Sequence, residues 1–372
     1  MSLHQAYLNT KYFASLDGVR CFCILAVIWH HSPIPQGLPA IANRGFLGVD
    51  MFFVLSGFLI ATLLLREKQK YNHINLNIFY QRRSLRIFPA YYGLLLIFTV
   101  LYGIQLGTSE SSQQYFQVLP FYATFTSNWV SEQANNFAIL WSLATEEQFY
   151  LIWPAVEQYF PKGKILWVLT PALLINQLIN FGWLDPLFEI ILGTSHLEIL
   201  DSTFTPILLG IALAYGLQSE RGFTGFSFLG KSFWSPLLIT ALMLVMIQIS
   251  PPDLSGLPRL LIQLIMTALL AALVMPKSHC FGAILQHPWV VRIGVISYGM
   301  YLYHTWCIHV VREAGQKVGW EGGIWMILPS ILITYIVAEI SFRWLETPFL
   351  KLKPQRVSER SPSPPPNPHL KD

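Results

Sequence analysis

The chain has 372 residues, of which 53% are hydrophobic and only 12% charged, with a formal net charge of +4. A soluble domain carries about 25% charged residues, so half that share cannot coat a large globule and the missing polar surface must face lipid. The small net charge gives no reason to expect nucleic acid, and the four cysteines (Cys21, Cys23, Cys280, Cys307) form neither a disulfide framework nor a metal-ligand spacing.

The first apolar run is interrupted by charge and lacks a small-residue cleavage site, so it reads as a membrane-targeting helix that is retained. A span needs about 20 mostly apolar residues. Such runs fall at 15–34, 46–65, 88–106, 139–160, 165–184, 204–218, 234–250, 258–275, 293–311 and 324–344. The expected fold is therefore all-α, a polytopic bundle of about ten transmembrane helices over residues 15–350. Residues 1–14 precede it, and a Pro/Ser-rich tail, 351–372, reads as disordered. With the N-terminus placed in the cytoplasm, 20 of the 24 lysines and arginines fall on the cytoplasmic side and 4 outside. Both termini are then cytoplasmic, and the long segment 107–138, with no Lys or Arg, lies outside.

The first span must take in Asp17, Arg20, His30 and His31, because its uncharged run is too short to cross alone. Ionisable groups in a spanning helix are costly and are functional candidates for that reason. Eleven residues from Arg20 to His31 turn the helix by about 1100°, within ~20° of one face, and rise about 16 Å; His30 falls ~80° away. The competing reading makes Arg20 a positive-inside anchor and the histidine pair an interface feature. In the second span, GFLGVDMFFVLSGFLI, the small residues Gly45, Gly48, Ser56 and Gly57 permit close helix packing. Asp50 near its outer end either pairs with a histidine or, more simply, faces water.

The following loop, FYQRRSLRIFPAYY, holds Arg82 with Arg83 and Arg86 at i, i+3, on one face of a short helix ahead of a span opened by Pro89. Planar, permanently charged guanidinium groups suit phosphate, although such a cluster also satisfies the positive-inside rule. The fourth span, NFAILWSLATEEQFYLIWP, puts Ser142, Glu146, Phe149 and Trp153 on one face. Its carboxylate either orients a histidine, as in a triad, or caps the helix N-terminus. Late in the chain, GVISYGMYLYHTW places His304 one turn from Tyr301, where a packing role is the plain expectation, and Glu346 reads as an interface residue near Arg343.

Together these runs resemble the acyltransferase 3 family of membrane proteins. The resemblance rests on SLDGVR followed by His31 with ten residues intervening after Arg20, GFLGVDMFFVLSGFLI, RRSLRIFPAYY, LWSLATEEQFYLIWP, ISYGMYLYH and RWLETP, in that order over roughly residues 14–349. It implies an O-acyltransferase of the bacterial inner membrane that moves an acyl group, commonly acetyl, from cytoplasmic acetyl-CoA or another acyl-CoA to a hydroxyl of a sugar or glycan. The family's paired motifs land on Arg20 with His31 and on Arg83 with Arg86, and its carboxylate on Glu146. His31 is then the general base, Glu146 its orienting carboxylate, and Arg82, Arg83 and Arg86 the grip on donor phosphates. Asp17, Asp50, Ser142, Tyr301 and His304 are candidates for substrate contact or support. No metal is expected; membrane lipid is a partner, and assembly with further copies of the chain stays open. The rival from another class is a transporter or flippase for a glycan or lipid-linked substrate. Against it stand the lack of an inverted repeat and of paired broken helices in the sequence.

Overall fold

The run after Asp50 carries no charge until Arg66, and it builds the central helix of the molecule. The computed structural model describes residues 2–35, 37–104, 109–130, 137–161, 163–192, 204–276, 278–319 and 323–354, and these are all-helical with no strand among them. The main helices are α1 (Leu3–Asn9), α2 (Ala14–His31), α3 (Leu47–Tyr71), α4 (Leu76–Ile104), α5 (Glu110–Ala123), α6 (Leu140–Tyr159) and α7 (Leu166–Asn180). They continue with α8 (Thr205–Gln218), α9 (Ser235–Ile249), α10 (Gly256–Val274), α11 (Pro288–Val295), α12 (Ser297–Lys317) and α13 (Ile327–Ser341). Short helical segments such as Ala40–Asn43 and Glu220–Phe226 join them.

Among the described residues, four helices are long and apolar enough to cross a membrane: α3, α4, α10 and the run Ile324–Leu350 that contains α13. The number rises to six if two bent pairs each make one span, α1 with α2 at 72° and Glu220–Gly230 with α9 at 78°. Several of the ten expected spans fail this test for visible reasons. α7 and α8 have only 15 and 14 residues, and the expected span 293–311 is broken at Ile296 between α11 and α12. The expected disordered tail lies outside the described residues from 355 onward.

α3 buries 78% of its most apolar stretch inside the protein, whereas α4 and Ile324–Leu350 bury only 28% each. Leu96, Ile97, Val100 and Ile104 on α4 point outward, as lipid-facing side chains do. Small residues let α3 close on its neighbours: a Cβ at Gly48 would press on the Cys23 carbonyl of α2, and one at Gly57 would strike the Ile207 carbonyl of α8. α3 ends at Asn72 in the left-handed conformation, a helix stop that asparagine tolerates. Next to it, the arginine cluster departs from expectation. Arg82, Arg83 and Arg86 belong to the first turns of α4 itself, and Pro89 lies inside that helix and does not open it. The cluster therefore sits on a rigid extension of a candidate span, with Tyr91 and Ile87 buried beside it.

Candidate functional site

A cavity of about 550 Å³ lies against α2, α3, α4, α6 and α12. Its lining on α3 runs from Arg66 to Val49, about 26 Å at 1.5 Å per residue. Its volume is in the range of small-molecule and cofactor sites. Three guanidinium groups face it from the sequence-selected set, those of Arg20, Arg83 and Arg86. Asp17, Ser142, Glu146 and Tyr301 also line it, so helices far apart in sequence bring seven of the selected residues to one space.

The cations in this cavity differ in how they are satisfied. Arg20 donates to Asp17 at 2.5 Å, and Asp17 also accepts from the Tyr12 hydroxyl. Arg83 stacks its guanidinium 4.2 Å from the centroid of Tyr150. Arg86 stays accessible through the cavity. Among the described residues, neither Arg83 nor Arg86 has a carboxylate at ion-pair distance. Arg82 turns away, donating from Nε to the Pro354 carbonyl at 3.0 Å. That bond folds the chain after α13 back onto the foot of α4 and carries Lys353 to the cluster. There burial and the charges of Arg86, Arg83 and Arg82 push its ammonium down to about 8.

Glu146 does neither of the two things expected of it. It lies in the second turn of α6, past the uncapped start at Leu140, and accepts a hydrogen bond from Tyr150, whose oxygen is 2.5 Å from the Ser56 hydroxyl. His31 meets another histidine instead. Its Nδ1 lies 3.0 Å from the Val27 carbonyl and 3.2 Å from Nε2 of His304, with ring centroids 4.9 Å apart. His304 is wholly buried, and its Nδ1 lies 2.6 Å from the Tyr301 carbonyl. The Tyr301 hydroxyl is 2.6 Å from that of Ser142, and both side chains line the cavity, with Tyr301 one helical turn from His304, which does not line it. His30, on a different face of α2, reaches the Asn43 carbonyl at 3.1 Å and packs on Phe46.

Two further expectations are corrected. Asp50 neither faces water nor meets a histidine: it is 0% exposed and accepts from Arg259 Nε and Nη2 at 3.0 and 2.9 Å and from Gln263 at 3.1 Å. Glu346 is 4% exposed within a π-helical turn, Phe342–Glu346, while Arg343 pairs with Glu339 at 2.5 Å. Tyr12, Tyr150 and Lys353 were not picked out from the sequence. Tyr150 sits at i+4 from Glu146, a spacing that could have exposed it, but no spacing points to a lysine brought in by the chain's return. Among the described residues, no three His, Cys, Asp or Glu side chains are grouped to hold a metal ion.

A family model described as an acyltransferase domain matches residues 13–341. The chain is 30% identical over 367 residues to the peptidoglycan O-acetyltransferase OatA of Listeria monocytogenes, covering 92% of this chain and 56% of that protein. It is 30% identical over 370 residues to the O-acetyltransferase OatA of Staphylococcus aureus, covering 92% of this chain and 58% of that one. The chain thus spans somewhat more than half the length of these curated relatives. No solved structure matches it.

Proposed function

From the premise that this integral membrane chain belongs to the acyltransferase domain family, we propose that it is an O-acyltransferase moving an acyl group, acetyl by family habit, from acyl-CoA to a hydroxyl of a glycan. The names of its relatives make peptidoglycan the acceptor to try first. The observation that carries the reading is the cavity itself. It is lined by the guanidinium groups of Arg20, Arg83 and Arg86 and by Ser142 and Tyr301, the last of these one turn from a histidine pair. A phosphate-bearing donor with a long thin arm fits that layout: the guanidinium groups take the phosphates, and the arm lies along α3 with its thioester toward Tyr301.

His31 serves as general base. An alcohol is a poor nucleophile until its proton leaves, and a positioned histidine takes it. The acceptor oxygen gives its proton to His31 and bonds to the thioester carbonyl carbon. The carbon–sulfur bond then breaks, and the departing thiolate takes the proton back, leaving an ester and free thiol. With a cytoplasmic donor, the arginine end of the cavity takes the cytoplasmic side in this reading. About ten crossings with both termini cytoplasmic complete the arrangement, the shorter helices α7 and α8 crossing as well. A cysteine at Ser111, which is exposed on α5, should then react with an impermeant thiol reagent on intact cells. Labelling only after permeabilisation would overturn that orientation.

The test of function is thioester cleavage and acyl transfer by protein purified in detergent. His31→Ala should lose about 10²–10⁴-fold in rate while still folding, and His30→Ala should keep most activity. Activity retained in His31→Ala would remove the base. Substrate movement across vesicles with no thioester cleavage would favour a transporter.

A further inference from the structure

We propose that His304 is the positioning residue of His31, fixing which of its ring nitrogens is free to take a proton; this rests on the base role given to His31 above. The inference follows from which atoms can only accept. The Tyr301 carbonyl accepts and never donates, so His304 Nδ1, 2.6 Å away, carries a hydrogen. The Val27 carbonyl likewise requires a hydrogen on His31 Nδ1, 3.0 Å from it. Nδ1 of His31 also faces Nε2 of His304 at 3.2 Å. Two N–H groups pointed at each other would repel, so Nε2 of His304 must offer its lone pair. His304 is then neutral with its hydrogen on Nδ1, and His31 is neutral with its hydrogen on Nδ1 as well. The bare nitrogen of His31 is Nε2.

This chain of donors has one direction. The Tyr301 carbonyl sets His304, and His304 together with the Val27 carbonyl sets His31. His304 is 0% exposed, so water cannot stand in for either of its partners. His31 is exposed, and among the described residues only its Nδ1 has hydrogen-bond partners, which leaves Nε2 for an acceptor hydroxyl. When Nε2 takes the acceptor's proton, the Nδ1–H becomes that of an imidazolium, and its bond to His304 strengthens as a charge-assisted one. The stabilisation appears during the reaction more than before it, which is where it speeds the step. Among the described residues no carboxylate hydrogen-bonds either ring, so a neutral imidazole does here what a carboxylate does in a triad.

Asparagine and glutamine at position 304 separate the two halves of this role. His304→Asn keeps an amide N–H for the Tyr301 carbonyl and stops short of His31. His304→Gln extends far enough to offer His31 an amide oxygen. The expected result is a fall of about 10- to 100-fold in kcat for His304→Asn, the usual scale for a partner that orients a histidine, with donor KM unchanged. His304→Gln should recover most of that loss. Nitrogen-15 NMR of histidine-labelled protein in nanodiscs, with the His31 signals assigned by their loss in His31→Gln, should show hydrogen on Nδ1 in the parent and in His304→Gln. A tautomer mixture is expected in His304→Asn. A His304→Asn protein with full kcat and an unchanged tautomer would overturn the proposal and leave the Val27 carbonyl in sole charge. Equal loss in both variants with an unchanged tautomer would also overturn it, by showing a packing role. Because the NMR readout needs no turnover, it stands even if His31→Ala stays active and the base reading falls.

Discussion

The Asp50 cluster and the cavity arginines are both sets of charges inside an apolar bundle, and they differ in whether the protein completes them. Asp50 is sealed from solvent and receives three hydrogen bonds, two from one guanidinium and one from Gln263. Arg83 and Arg86 open on a cavity that Asp17, Glu146 and Glu147 also line, yet among the described residues no carboxylate lies at ion-pair distance from either. A buried charge with its partner in place is structural, since removing either side strands the other. A cation left open in a cavity of ligand size is what the proposed donor site calls for. Charge inside a membrane protein is therefore not by itself a mark of function; whether the protein satisfies that charge makes the distinction.

The largest effect expected from this contrast is on stability. Asp50→Asn leaves Arg259, whose side chain is 27% exposed, without its counter-charge, and breaking a fully buried pair costs about 3–5 kcal/mol, an upper bound here. Thermal unfolding in detergent should show a clear fall in apparent Tm, and Arg259→Met should match it. Protein of either variant that does fold should keep a donor KM near the parent value. A stable Asp50→Asn with altered KM would move Asp50 into the site and dissolve the contrast.

The opposite pattern is expected in the cavity. Hydrogen bonds to charged groups contribute about 1.5–3 kcal/mol, so the Arg83→Ala, Arg86→Ala double variant should raise donor KM by about tenfold or more. Its Tm should hold, because no ion pair is broken. Arg83→Lys should rescue only in part, since a point charge lacks the fork of a guanidinium. An unchanged KM would reduce the cluster to an orientation signal for insertion.

The smallest effect sharpens the cavity's edge. Lys353 stands by the arginines with its ammonium pushed down to about 8, first by burial and then by their charges. A lowered lysine is charged below that pH and neutral above it. Its help in drawing a phosphate donor is therefore present below pH 8 and lost as pH rises through it. The pH profile of kcat/KM for the donor, which reports groups of the free enzyme, should fall severalfold above about pH 8. Lys353→Met should flatten that limb and little else. A limb that persists in Lys353→Met belongs to another group.

Much of this protein was readable in one dimension. Charge scarcity and long apolar runs determined an all-helical membrane chain, because a helix satisfies its own backbone wherever it lies and needs no partner to be recognised. Periodicity put Arg20 apart from His30, and the adjacent histidines do go to different partners, the Asn43 carbonyl and His304. The motifs also gathered spatial neighbours, since Asp17, Arg83, Ser142, Glu146 and Tyr301 line one cavity. Pairing was another matter. Spacing offered Glu146 as a partner for a histidine and left His304 a packing role, and only the packing of α12 against α2 brought His31 to the histidine 273 positions away. The same holds for Asp50 and Arg259, separated by 209 positions, and for Lys353, placed by a bond from Arg82 to a backbone carbonyl. Helical periodicity tells which residues share a face, but the partner of that face is set by how helices dock. Docking depends on where a glycine such as Gly48 or Gly57 lets two backbones close, a fact of three dimensions.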